Sequence, residues 1–183
     1  MRQGRLKVFL VGVCMVFAHA ACSQVEYHDE QSGVSLSLPP GWTWAGPKPM
    51  EDQKSILTLK ELETAQVLRL YVKMLDTPEG VIPAQQMNRR LLKQAEAKVR
   101  QRTSEGYENY RLRENSCVLK SINGRSALSW IDDYTAGGNH MVEYLTRVRS
   151  DKTNALFYAR LPSEQLEEFR RRVDPIIETL QIQ

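Results

Sequence analysis

Four residues around one glycine turn carry side chains suited to acid–base or metal chemistry: Asp132, Asp133, His140 and Glu143, flanking Gly137-Gly138. Such chemistry needs two or three of them on one point with tuned pKa values. Side chains alternate along a strand, so Asp132 and Asp133 face opposite ways. At most one of them can join His140 and Glu143 on a given side. The expected state is a solvated hairpin end, and no catalytic residue is assigned. Beyond residue 22 the histidines are His28 and His140, and neither has a cysteine at ligand spacing, which argues against structural zinc. No Gly-x-Ser-x-Gly elbow or phosphate-cradling glycine loop is present. The chain therefore reads as a non-enzyme without cofactor or metal.

Trp42, Trp44, Trp130 and Tyr134 have the chemistry of an apolar groove. Aromatic residues on strands more often pack in cores, and Trp130 fits that role. Trp42, Trp44 and Tyr134 are retained as a candidate binding surface. Arg89, Arg90, Lys93, Lys98 and Arg100 share a segment with helical spacing, interrupted by Glu96. Arg170-Arg171-Arg172 points in three directions on another helix. Both read as solvated faces.

The formal charge is +3, from 25 basic and 22 acidic residues. Arg2, Arg5 and Lys7 account for that excess, because the first acidic residue is Glu26. Residues 23–183 are thus neutral, a poor basis for long-range attraction to nucleic acid or anionic lipid. The three cations precede an apolar run from Val8 to Phe17, too short for the roughly 20 residues of a spanning helix. Residues 1–22 match a secretory signal. Two endings compete. Ala18-His19-Ala20 suits ordinary signal peptidase, whereas Ala20-Ala21-Cys22 resembles the end of a bacterial lipobox, with Cys22 as the lipid attachment site. The lipobox usually has an aliphatic residue where this chain has His19. A lipidated Cys22 leaves Cys117 a lone thiol, whereas cleavage after Ala20 lets the two cysteines meet in an oxidising compartment.

Residues 23–183 are expected to form one mixed α/β domain. Val34, Leu36 and Leu38 alternate along a strand that Pro39-Pro40-Gly41 stops. A short edge strand precedes it at Gln24–His28, and a Pro-rich loop follows through Pro49. Ile56–Leu62 and Val67–Leu75 alternate around Glu63–Gln66, as a hairpin does. Thr77–Ile82 reads as a turn, and Pro83 opens a helix ended by Gly106. Tyr110–Ile122 is one strand, turning at Asn123-Gly124 into Arg125–Thr135. Met141–Val148 and Ala155–Leu161 follow. Leu166, Phe169, Val173, Ile176, Ile177 and Leu180 form the apolar stripe of a last helix, with a kink or break expected at Pro175. The class is α+β, an antiparallel sheet flanked by helices.

Three phrases carry a family resemblance: Gly33-Val34-Ser35-Leu36-Ser37-Leu38-Pro39-Pro40-Gly41-Trp42, the Asn123-Gly124 turn between long strands, and the closing run Leu166–Ile182. In these, and in the order of elements over 24–182, the chain resembles the PsbP/Mog1-like family, including its small bacterial envelope lipoproteins. The resemblance implies an α/β/α sandwich and a binding or accessory role, and it transfers no site residues. The expected protein is a monomeric, exported envelope module that binds a protein partner, reaching the membrane only through a lipid anchor. Two alternatives stand beside it. One is a small-molecule or lipid binder with a pocket between sheet and terminal helix. The other is a hydrolase built on Asp132 and Glu143. Mass spectrometry of the mature protein separates the two signal endings: diacylglycerol on Cys22 excludes its disulfide with Cys117.

Overall fold

The computed structural model describes residues 24–51, 54–75 and 84–183. The signal, Cys22, the Thr77–Ile82 turn and Pro83 lie outside the described residues. Among the described residues, eleven strands and two α-helices follow in the order β1 (Val25–Asp29), β2 (Val34–Leu38), β3 (Trp42–Met50), β4 (Lys54–Glu61), β5 (Val67–Met74), α1 (Ala84–Ser104), β6 (Glu108–Leu112), β7 (Val118–Ile122), β8 (Arg125–Ala136), β9 (Asn139–Arg149), β10 (Thr153–Pro162), α2 (Leu166–Glu178) and β11 (Gln181–Ile182).

The large antiparallel sheet runs β3-β4-β5-β10-β9-β8-β6, and β7 also pairs with β8. The twelve-residue β8 is long enough to take β7 along Arg125–Ser129 and β6 along Asp132–Thr135. A second sheet, β1-β2-β11, lies against the same side as α2. Alternation divides the large sheet into two faces. One presents Leu57, Leu59, Leu68, Leu70, Phe157 and Val142, all at most 2% exposed, to Phe169, Val173, Ile176 and Ile177 of α2 and to Val34, Leu36 and Leu38 of β2. The opposite face carries α1, joined to it through Lys98. This is the expected α+β architecture, with a helix on each side of an antiparallel sheet.

Several local signals act as read. The hairpin turn at Asn123-Gly124 takes φ values of 47° and 77°. Positive φ at both positions matches the twist of the flanking strands, and glycine pays no steric penalty there. The Asn123 amide also donates to the carbonyls of Glu178 and Leu180, so this turn caps the end of α2.

Four expectations change. The Pro-rich segment is strand β3, with its register broken between Ala45 and Lys48. Proline is tolerated there because β3 is an edge and the bulge relieves the ladder. Gly46 has a φ of 105°, and a Cβ would stand 2.8 Å from the Ile56 carbonyl oxygen, so only glycine fits. Tyr110–Ile122 is two strands, separated by a bend in which Asn115 has a φ of 55°. Helix α2 continues through Pro175 without a break. The one hydrogen bond lost near its end is outweighed by burying Ile176 and Ile177 immediately beyond. Finally, Gln181–Ile182 leaves the helix as β11 and pairs with Ser35 and Val34.

No described helix is long and apolar enough to cross a membrane. The α2 face holds the fold together, and Phe169, at 1% exposure, fills its centre. Phe169→Ala is expected to lower unfolding free energy by about 3–5 kcal/mol in urea denaturation.

Candidate functional site

The α1-facing side of the large sheet is a lattice of side chains set by strand register. Its first row reads Tyr71, Leu156, Arg147, Leu128 across β5, β10, β9 and β8. The second reads Arg69, Tyr158, Leu145, Trp130, and the third Arg160, Glu143, Asp132. These residues alternate with the packed side chains of the α2 face, so their placement follows from pairing alone. Apolar and aromatic residues fill much of the first two rows. The third is charged throughout.

At that charged row, Glu143 is fully buried and Asp132 is 3% exposed. Lys98 of α1 reaches down between them, its Nζ 2.7 Å from Asp132 Oδ2 and 2.9 Å from Glu143 Oε2. The Tyr110 hydroxyl bridges the same two oxygens at 2.9 and 2.8 Å. On the other oxygen of Glu143, Tyr158 donates at 2.9 Å and Arg160 Nε at 3.0 Å, with Arg102 Nη2 at 3.3 Å. Arg160 Nε also donates to the Tyr158 hydroxyl. Burial by itself would raise the pKa of Glu143. The Lys98 charge and hydrogen bonds from Lys98, Tyr110 and Tyr158 outweigh it, holding the carboxyl below its ordinary value. Burial, reinforced by Asp132 and Glu143, pushes the Tyr110 phenol far above its ordinary value.

Beyond this network a cleft of about 520 Å³ opens between α1 and the sheet. Leu112, Trp130, Leu145, Leu156 and Tyr71 form its floor. Lys98, Arg102 and Gln94 of α1 overhang it, and Arg69, Arg147 and Arg160 rise from the sheet. The Arg147 guanidinium lies 5.5 Å from the centre of the Trp130 ring.

The structure separates the four residues singled out in the sequence by face, as alternation requires. Asp132 and Glu143 converge beneath α1. Asp133 lies on the other side, where Arg113 Nη2 reaches its Oδ1 at 2.7 Å and His140 Nε2 stands 3.1 Å from the same oxygen. The expectation of a solvated hairpin end is corrected: α1 covers this face of the β8–β9 hairpin through Lys98, and both carboxylates are buried.

The candidate surface of Trp42, Trp44 and Tyr134 does not form one patch. Trp42 is buried and Trp44 packs edge-on against Tyr27, both on the α2 side. Tyr134 is buried on the α1 side, stacked on Tyr110 at a ring-centre distance of 5.9 Å. Of the aromatic group, Trp130 alone lines the cleft. Where a pocket was expected under the terminal helix, Phe169, Val173, Ile176 and Ile177 pack into the core among the described residues. Cys117 is half-buried, without a disulfide partner among the described residues. No described group of three or more histidine, cysteine or carboxylate side chains is placed to hold a metal.

Sequence reading passed over Arg69, Tyr110, Arg147, Tyr158 and Arg160, and took Lys98 for solvated surface. A signal for them exists. Arg69 and Tyr71, Glu143 and Arg147, and Tyr158 and Arg160 are pairs of like parity on three central strands, placing polar groups on a face that an inserted helix must cover.

No protein-family model matches the chain, and no curated protein matches its sequence. Solved structures do resemble it. Cyanobacterial PsbP (CyanoP) from Synechocystis sp. PCC 6803 superposes with a TM-score of 0.58 at 13% identity, covering 91% of this chain and 96% of that one. A protein from Bacteroides thetaiotaomicron gives 0.53 at 12% identity, over 86% of this chain and 48% of that one. A Pseudomonas aeruginosa protein of unknown function gives 0.51 at 14% identity, over 87% and 97%. The likeness shows a PsbP-like fold.

Glu143 should govern both stability and its acid dependence. Removing one partner of a buried ionic network leaves the others uncompensated, so Glu143→Gln is expected to cost about 3–5 kcal/mol at pH 7. A carboxyl whose pKa is lower folded than unfolded contributes fully above the unfolded value of about 4.3, and progressively less as pH falls through the folded value. Urea denaturation at pH 7, 4.5 and 3 should therefore show the gap between wild type and variant closing toward pH 3. A constant gap would contradict this assignment.

Proposed function

We propose that this protein is an exported, non-enzymatic binding module, and that the cleft beneath α1 is its binding site. The observation that carries the reading is an open 520 Å³ cleft with an apolar floor, beside a charged row already satisfied by its own partners. That volume lies within the roughly 300–1,000 Å³ of ordinary small-molecule sites, which join an apolar lining to a few placed polar groups. The signal-like residues 1–22 support export to the cell envelope, with Cys22 as the attachment point if the chain is lipidated.

Glu143 argues for binding over hydrolysis. A general acid working near neutrality needs a raised pKa and a free proton. Glu143 is held the other way, and both of its oxygens are occupied. Asp132 shares Lys98 and Tyr110 with it. The pair is suited to anchoring α1.

Contact with an envelope protein is the second reading, favoured by the exposed Trp44 and Met50 on edge strand β3. The register break and the prolines at 47 and 49 weaken it, because they deny an added strand a continuous ladder.

N-phenyl-1-naphthylamine, an uncharged fluorophore, tests the cleft. Wild type should enhance its emission with micromolar affinity. Leu156→Trp, which fills the floor, should weaken binding at least tenfold, and Trp44→Ser on the other face should not. Unchanged binding by Leu156→Trp would remove the cleft from the proposal.

A further inference from the structure

Charge is unevenly satisfied along the cleft. Its lining holds five cations, Arg69, Lys98, Arg102, Arg147 and Arg160, against one carboxylate, Asp132. Glu143, immediately behind, raises the acidic side to two. Lys98, Arg102 and Arg160 already share those two carboxylates. Arg69 and Arg147 do not. Neither side chain makes an ion pair or hydrogen bond among the described residues, and the buried Arg147 Nε is without an acceptor.

The setting of Arg147 makes this costly. Register places it between Leu156 on β10 and Leu128 on β8, with the Trp130 ring against its guanidinium. Burial and the neighbouring Arg149 charge both work against its protonated form, yet a guanidinium stays charged in proteins. Withdrawing a cation from water without a counter-ion is unfavourable, and the ring face offsets only part of the cost. Arg69 lies in the adjacent row, two strands away, at the same end of the floor.

Resting on the cleft as the binding site, we infer that its ligand is an anionic amphiphile: an acidic head that pairs with Arg147 and Arg69, on an apolar body lying over Trp130, Leu145 and Leu156. The guanidinium forks suit a carboxylate or a phosphate monoester equally, since both accept paired N–H donors. An apolar body matches the floor between those cations and the satisfied row of Glu143. A cationic head would meet the five basic groups and be repelled, whereas a neutral head would leave Arg147 unpaired.

Isothermal titration calorimetry on the full mature protein tests the class with decanoate, decyl phosphate, 1-decanol and decyltrimethylammonium, each below its micelle concentration or solubility limit. Decanoate or decyl phosphate should bind at least tenfold more tightly than decanol, and decyltrimethylammonium more weakly than any. Preference between the two anions would identify the head as carboxylate or phosphate. Arg147→Gln should erase most of the advantage over decanol while leaving decanol binding within about twofold, and Arg69→Gln should reduce it in part. Equal affinity for decanoate, decyl phosphate and decanol, unchanged in Arg147→Gln, would overturn the anionic head while leaving the cleft as the site. Tightest binding of the ammonium would overturn it as well. Absence of heat for all four, with Leu156→Trp still binding the naphthylamine as wild type does, would bring down the cleft reading and this inference together.

Discussion

Glu143 stands where the central strands, the inserted helix and an edge strand meet, and no water reaches it. A carboxylate in that position is tolerable only if every lone pair is engaged by donors that are themselves held in place. The donors come from three elements: Lys98 and Arg102 from α1, Tyr110 from β6, Tyr158 and Arg160 from β10. Each is fixed only if its element sits in one register against β9. The network therefore specifies how α1 lies across the sheet. The geometry of the cleft depends on this, because α1 is its roof.

The two faces of the large sheet solve different problems. On the α2 side, aliphatic and aromatic side chains interlock, and buried polar groups such as Ser129 and Thr146 hydrogen-bond to one another. Burial of that kind supplies stability without direction. Under α1, a smaller apolar group around Leu128, Trp130, Leu145 and Tyr158 shares its layer with charged residues. There the acidic charge is concentrated at one row and fully engaged, while cationic charge extends past it. The proposed preference for an anion rests on that imbalance, in residues 23–183 that carry no net charge of their own.

The α2 face was legible because its pattern is local. Val34, Leu36 and Leu38, the strands around Glu63–Gln66, and the stripe from Leu166 to Leu180 each announce a buried side through a period of two or about 3.6. Asn123-Gly124 announces its turn through backbone sterics. Elements whose formation depends on distant partners were harder to see. Edge strand β3 looks like a loop because Pro47 and Pro49 are admissible only where a bulge and an unpaired edge exist. The strand at Gln181–Ile182 exists because β2 offers it a partner about 145 residues away in sequence.

Which residues could share a side was already written in the order of the chain: Asp132 with Trp130 and Tyr134, Asp133 with Ile131, Arg147 with Leu145 and Glu143. Parity is a property of the chain, since successive side chains on a pleated strand must point apart. It left open what would cover each side. Only packing in three dimensions made α1 close over Asp132 and Glu143, turning an apparent solvated hairpin end into a buried ionic row, and left Arg147 facing the cleft without an anionic partner. Desolvation is set by everything packed above a face, and that packing joins segments whose residues carry no local record of one another.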